Sequence, residues 1–319
     1  MKKILIVSVL AMLTFGISCN NNNQNVEKEG VSTVSLSFSG AFALYPLAQQ
    51  WAEEYNKTHP EIRFEIQAGG AGKGLTDCLS GAVDVGMFSR ELKEEEKSKG
   101  VWFIALCKDA VIPTMNANNP LLEEIKQRGI KKAEFKGIFT DSIHKWSELG
   151  FASNKGDKIN VYTRADAAGA ADAWASFFGK KQDDLKGIGV NADPGVADAV
   201  RKDKNGIGYN NTLFVFDPST GKKLSGIEVV PIDVNGDGKL DASEDFYKDL
   251  PTFLQAVNDG RYPSPPARNL YFLTNGKTNK KELLDFFNWV LTDGQKMVAS
   301  AGYVQLPQSI INEQLQKLK

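Results

Sequence analysis

A glycine-rich passage from strand to helix recurs along this chain, and it restricts the possible folds more than any other feature. Val34, Leu36 and Phe38 alternate with Ser35 and Ser37, the period-two pattern of a half-buried strand. Ser39-Gly40 then turns the chain. Leu44, Leu47, Ala48, Trp51 and Tyr55 follow at helical spacing, opposite Gln49, Gln50, Glu53 and Glu54. Ile62, Phe64 and Ile66 alternate with Arg63 and Glu65 as a second strand. It runs into Gly69-Gly70-Ala71-Gly72-Lys73-Gly74, the opening of another helix. This alternation predicts an α/β fold with a largely parallel sheet.

With 319 residues the chain is long enough for two cores. The apolar run Val101 to Met115 reads as a crossing from one lobe to the other. The second lobe is expected to carry a strand at Ile159 to Arg164, a helix at Ala168 to Phe178, and the segment Gly206-Ile207-Gly208-Tyr209. Pro263, Pro265 and Pro266 mark the return crossing. Leu283, Phe286, Phe287, Val290 and Leu291 form an amphipathic helix that stops at Gly294. Residues 31–112 and 266–319 are thus assigned to the first lobe and residues 113–265 to the second. Trp51, Trp146, Trp174 and Trp289 are expected in the cores.

The first residues follow a different logic. Lys2 and Lys3 precede an apolar stretch, Ile4 to Phe15, too short to span a bilayer as a stable helix. Gly16-Ile17-Ser18-Cys19 follows, and the whole resembles a bacterial lipoprotein signal. Residues 1–18 are then the signal peptide, Cys19 the lipidated residue, and the Asn-rich segment 19–30 a flexible tether. The expected location is the extracytoplasmic face of the cell envelope. Cys78 and Cys107 remain, read as two buried thiols, with a disulfide as the alternative.

Charge narrows the function. Lys plus Arg number 38 against 39 Asp plus Glu, so no global basic field exists to hold nucleic acid. The two histidines, His59 before Pro60 in a loop and His144 in a polar helical stretch, offer little to zinc or to His-based triads. Recognition has to be local. Ser39-Gly40-Ala41-Phe42, Gly69 to Gly74, and Ala168-Gly169-Ala170 each lie where a strand hands over to a helix. Helix N-termini present unpaired N–H groups and a positive dipole end, and small residues let a ligand approach that backbone. Arg164 adds a planar fork suited to a tetrahedral oxyanion, with Asp166 placed to orient it. Ser89 and Arg90, at the end of the Val83 to Met87 strand, are further candidates.

The ordered set SFSGAFALYPLAQQWAEEY, AGGAGKGLTD, VDVGMFSREL, VYTRADAAGAADAW, GIGYNN and YPSPPARNLYFLTNGKTNKKELLDFFNWVLTDGQKMVASAGYVQLP resembles the phosphate-binding proteins of bacterial phosphate ABC transporters. These are type II periplasmic binding proteins. The resemblance implies two α/β lobes, hinge strands, and a ligand enclosed between the lobes. It further implies capture of phosphate by a monomer and delivery to an ABC permease, without chemistry on the ligand. The implied phosphate-binding set is Ser39, Gly40, Ala41, Phe42, Gly70, Ala71, Gly72, Ser89, Arg90, Arg164, Asp166, Ala168, Gly169 and Ala170. Several members depart from the pattern. Ala168 and Ala170 replace hydroxyl residues, Ala41-Phe42 lacks the first loop's hydroxyl, and Ser89 stands where an acidic acceptor is usual. Another tetrahedral oxyanion (sulfate, molybdate or tungstate) is therefore the alternative ligand.

One motif stands outside this scheme. Asp233-Val234-Asn235-Gly236-Asp237-Gly238-Lys239-Leu240-Asp241-Ala242-Ser243-Glu244 resembles an EF-hand loop. Asp233, Asn235, Asp237, Asp241 and Glu244 would supply side-chain oxygens and Lys239 its carbonyl, a hard-oxygen set suited to calcium. Glu228 to Ile232 reads as a strand before it, and Ala242 to Val257 as a mostly helical exit despite Pro251. A structural calcium ion is expected. A calcium-dependent scaffold lipoprotein is the rival reading of the whole chain. A phosphatase is disfavoured, because no nucleophile–base pair or two-metal cluster appears.

Overall fold

The structure is a computed structural model that describes residues 33–151 and 158–319. The expected signal peptide, the tether and Cys19 lie outside these residues. Strand β1 (Val34–Gly40) leads through a turn to α1 (Tyr45–Asn56), whose first turn holds Pro46 where a missing N–H costs nothing. There follow β2 (Ile62–Ala68), α2 (Ala71–Leu79), β3 (Val85–Phe88), the short α3 (Glu94–Lys97) and the long β4 (Val101–Asn116). Next come α4 (Leu122–Arg128), β5 (Ile130–Lys131), α5 (Lys132–Phe139), β6 (Asn160–Arg164) and α6 (Gly169–Phe177). Then β7 (Ile188–Val190), α7 (Ala192–Lys202), β8 (Gly206–Asn211), β9 (Ile227–Val229), β10 (Ile232–Asp233) and α8 (Leu250–Asn258). The chain ends with β11 (Ala267–Asn275), α9 (Lys281–Leu291), β12 (Val304–Gln305) and α10 (Gln308–Leu318).

A mixed sheet runs in the order β2-β1-β3-β11-β4-β8-β6-β7, with β9 and β12 also on β4. The strands that precede the glycine-rich turns pair in parallel: β1 with β2 and β3, and β6 with β7 and β8. The crossing strands β4 and β11 run antiparallel to each other. Two apolar cores form on this frame. One gathers Leu36, Phe38, Trp51, Phe272 and Phe286. The other surrounds Trp174 with Phe135, Phe139, Phe178 and Tyr209. Burying each such side chain stabilises the fold by roughly 1.5–3 kcal/mol.

Both crossing strands change core over the same short ladder. Cys107 and Leu270 belong to the first core, whereas Ala110 and Ala267 belong to the second. In register, Leu270 faces Cys107 and Ala267 faces Ala110. Between them Arg268 faces Asp109, and the two form a buried ion pair at 3.3 Å. The lobes therefore meet on a two-strand hinge with charge at its centre.

Two expectations change, and the reading of the cysteines holds. The chain after the acidic loop is not helical from Ala242; α8 begins only at Leu250. Pro251 sits in its first turn and Asp249 caps it by accepting from the Thr252 amide at 2.9 Å, so the proline starts the helix rather than interrupting it. His144 lies outside any helix, beside the bridge of Lys145 to Lys158. Cys78 and Cys107 are both free and buried, and burial pushes the Cys78 thiol up to about 11. Trp51, Trp146 and Trp174 are fully buried; Trp289 packs on the first core while partly exposed.

Candidate functional site at the interlobe cleft

Helix N-termini from both lobes converge on one narrow hollow. The first lobe contributes Ala41, Phe42 and Ala43 from the turn before α1, Gly70 and Ala71 at the start of α2, and Ser89 after β3. The second contributes Arg164 at the end of β6, Ala168, Gly169 and Ala170 at the start of α6, with Asp193 and Asn211. Each helix start presents first-turn amides that no intrahelical carbonyl reaches, so the walls are rich in N–H donors and positive dipole ends. Ser89 is the one side-chain hydroxyl among these lining residues.

Small residues are required here because the lobes touch. A Cβ on Gly169 would lie 2.2 Å from Ser89 Oγ and 2.6 Å from the Ser89 carbonyl oxygen. Across the other rim the Gly72 amide donates to the Ala167 carbonyl at 3.1 Å. Gly70 adopts φ +90°, and a Cβ there would meet Asp166 Oδ2 at 3.0 Å. Phe42 extends from the first lobe so that its ring faces the Arg164 guanidinium at 5.6 Å.

Arg164 is almost fully buried and held from two sides. Its Nε donates to Asp166 Oδ1 at 2.7 Å and its Nη2 to Asp166 Oδ2, while Nη1 donates to Asp193 Oδ2 at 2.5 Å. Three of its five N–H groups are thereby used, and one on each terminal nitrogen stays available. Gln182 braces the loop by accepting from the Ala168 amide and donating to the Asp166 carbonyl. Beyond Asp193, the Asn211 amide donates to Asp193 Oδ1 at 2.6 Å, and Arg268 Nη2 donates to Asn211 Oδ1. The network thus runs from the hollow to the hinge pair Arg268–Asp109.

Its charges do not balance pairwise, and this sorts the carboxylates. Three aspartates share two arginines. Burial opposes the Asp166 charge, but its two hydrogen bonds from Arg164 hold the carboxyl below the usual range. Asp193 is fully enclosed, and burial pushes its carboxyl up despite Arg164 and Arg268. Asp109 is raised for the same reason. Burial also works against the Arg164 charge, yet Asp166 and Asp193 outweigh it and raise the guanidinium further. Asp109 and Asp193 are thus the two carboxyls of the network that burial pushes up, and Asp166 the one that its arginine holds down.

Of the residues expected from sequence, Ala41, Phe42, Gly70, Ala71, Ser89, Arg164, Ala168, Gly169 and Ala170 line the hollow; Gly40, Gly72 and Asp166 do not, but the Gly40 carbonyl accepts from the Gly70 amide, Gly72 bridges to Ala167 and Asp166 holds Arg164. Ser39 and Arg90 are not brought to it. Ser39 Oγ donates to Asp77 Oδ2 at 2.6 Å, beneath α2. Arg90 donates to both Glu96 oxygens and pairs with Asp172 of the second lobe at 2.6 Å, which makes it an interlobe clasp. Ala43, Asp193 and Asn211 were not expected. Asp193 had a readable signal, since it follows the strand Ile188–Val190 at the start of α7, the same strand-to-helix arrangement as the other three segments.

Residues 27–294 match the family model described as "PBP superfamily domain". The chain is 26% identical to "Phosphate-binding protein PstS" of Bacillus subtilis (strain 168), over 95% of this chain and 93% of that protein. It is 25% identical to the protein of the same description from Xylella fastidiosa (strain Temecula1), over 92% and 87%. Its fold is similar to a solved putative phosphate ABC transporter substrate-binding protein with bound phosphate from Clostridium perfringens. That similarity has a TM-score of 0.70 and 23% identity, over 86% of this chain and 100% of that one. With two lobes on a two-strand hinge, and a family match spanning most of its length, the chain belongs to the PBP superfamily.

Proposed function

We propose that this chain is a phosphate-capturing solute-binding protein, anchored to the cell envelope by lipid on Cys19 and serving an ABC permease. The observation that carries the reading is the hollow itself: helix N-termini from both lobes surround one buried arginine and one buried carboxylate. The resemblance to proteins described as phosphate-binding supports binding without chemistry on the ligand. The resemblance in sequence to proteins described as phosphate-binding supports the choice of anion.

Asp193 supplies the selectivity that the missing hydroxyls would otherwise leave open. A monohydrogen phosphate carries a proton that the Asp193 carboxylate accepts. Sulfate carries none near neutral pH and sets two acceptors face to face. Calorimetric titration of anion-stripped protein with phosphate, arsenate, sulfate and molybdate tests the reading. Phosphate is expected to bind one to one and most tightly; tighter sulfate binding, or no heat with any of the four, refutes it. The anchor is tested separately, by loss of the membrane-associated fraction in Cys19→Ala.

A further inference from the structure

The acidic loop between β10 and α8 plays no part in the cleft. Its backbone is drawn around its own side chains. The Asp233 carboxylate accepts from the Gly236 amide at 2.7 Å and the Gly238 amide at 2.8 Å. Asn235 Oδ1 accepts from the Asp237 amide, and Asp237 Oδ1 from the Lys239 amide. Such turns occur in many acidic loops and assign nothing alone. The decisive group is Glu244. It is buried to 4% exposure, and its Oε1 accepts from the Val234 and Asn235 amides at 3.0 and 2.8 Å. That fixes the carboxylate facing into the loop. Its other oxygen, Oε2, is buried with no protein partner. A buried, charged oxygen without a donor is costly, and a cation removes that cost.

We infer that residues 233–244 bind one calcium ion, with Glu244 as the bidentate ligand and Asp233, Asn235, Asp237, the Lys239 carbonyl and Asp241 completing an all-oxygen shell. Four carboxylates supply the charge, and Gly238, at φ +83°, makes the sharp turn that the sixth position of such a loop needs. Among the described residues no three acidic, His or Cys side chains are already gathered for a metal. Asp237 and Asp241 are exposed, so the ion draws them inward. Lys131 Nζ, 2.7 Å from the Gly236 carbonyl, opposes the ion and places the affinity toward the weak end of the range for such loops. The loop is tied to its surroundings through the Leu240 amide on the Gln127 carbonyl and through the pairing of β10 with β5. Binding therefore clips α4, β5 and β10 together at the edge of the second lobe. This inference does not depend on the anion reading.

The test uses the full chain stripped with chelator and titrated with calcium chloride by calorimetry, with magnesium chloride in parallel and melting curves at each end point. One calcium per chain is expected, with Kd between about 10 µM and 1 mM and at least about tenfold weaker magnesium binding. Saturation should raise Tm by at least about 3 °C. Glu244→Gln should abolish binding. The exposed Asp241→Ala, whose side chain bonds only within the loop, to Ser243 and Asn235, should weaken it at least about tenfold. Absence of both heat and melting shift at about 10 mM calcium overturns the inference, as does calcium binding that survives Asp241→Ala and Glu244→Gln unchanged.

Discussion

Gly169→Ala separates closure of the lobes from their stability. Gly169 is the first residue of α6 and has an ordinary backbone conformation, so alanine fits the helix and by intrinsic preference stabilises it by up to about 1 kcal/mol. The added methyl, however, meets the other lobe. Ser89 Oγ rotates away, but the Ser89 carbonyl oxygen at 2.6 Å belongs to the backbone. Reaching an ordinary contact of 3.4 Å opens the rim there by about 0.8 Å. An amide–oxyanion bond of about 2.9 Å lengthened by that amount ceases to be a hydrogen bond. Each charged hydrogen bond so lost weakens binding by about 1.5–3 kcal/mol, or about 10- to 100-fold in Kd. Calorimetric phosphate titration of the variant and melting curves without ligand make the assay. The expected pair is a Kd at least about tenfold weaker and a ligand-free Tm equal to or slightly above that of the parent chain. Parental affinity in the variant would sink the closed-cleft argument, and a collapsed ligand-free Tm would show that Gly169 serves the fold rather than the cleft.

Other consequences can be measured in the same way. Arg164→Ala removes the buried guanidinium and leaves Asp166 and Asp193 facing the anion, so phosphate affinity should fall at least about tenfold; an unchanged calorimetric Kd excludes Arg164 from the site. Asp193→Asn should narrow the preference for phosphate over sulfate, and an unaltered ratio rejects Asp193 as the proton acceptor. The same variant has a pH signature. Burial raises the Asp193 carboxyl, so its contribution to stability is complete below the unfolded carboxylate range and is lost as pH rises through the raised folded value. The stability of Asp193→Asn relative to the parent should therefore improve as pH rises from about 4 toward neutrality, and a flat difference in urea melts contradicts the assignment. Asp172→Asn cuts the interlobe clasp to Arg90, which Glu96 continues to hold. A pair of this partial exposure is worth about 1 kcal/mol, so stopped-flow release of phosphate should quicken about fivefold, and parental release would show that the pair does not resist opening.

Much of this arrangement was legible from residue order because its determinants are local. The two-residue alternation of Val34 to Phe38, the helical spacing from Leu44 to Tyr55 and the apolar length of Val101 to Met115 each follow from which face a segment buries. The glycine-rich turns announced helix starts because only small residues permit lobe-to-lobe backbone contact at Gly169 and Gly72. Side-chain partnerships were not legible. Ser39 is claimed by Asp77, thirty-eight residues away, and Arg90 by Glu96 and Asp172; nothing next to either residue records those partners. Asn211 reaches the site only because β8 pairs with β4 beside the hinge, a fact of topology. Pro251 misled because proline reads as a break when it also serves as a start.

The length of β4 has a consequence for how this protein comes apart. Its first residues pair with β11 inside one core and its last with β8 and β9 inside the other. Neither half can release the strand without stripping a central neighbour from the opposite half. The two halves are therefore expected to melt together, so that no half-folded species exposes a sheet edge to proteases or to other chains. The same sixteen residues link the two cores across the hinge.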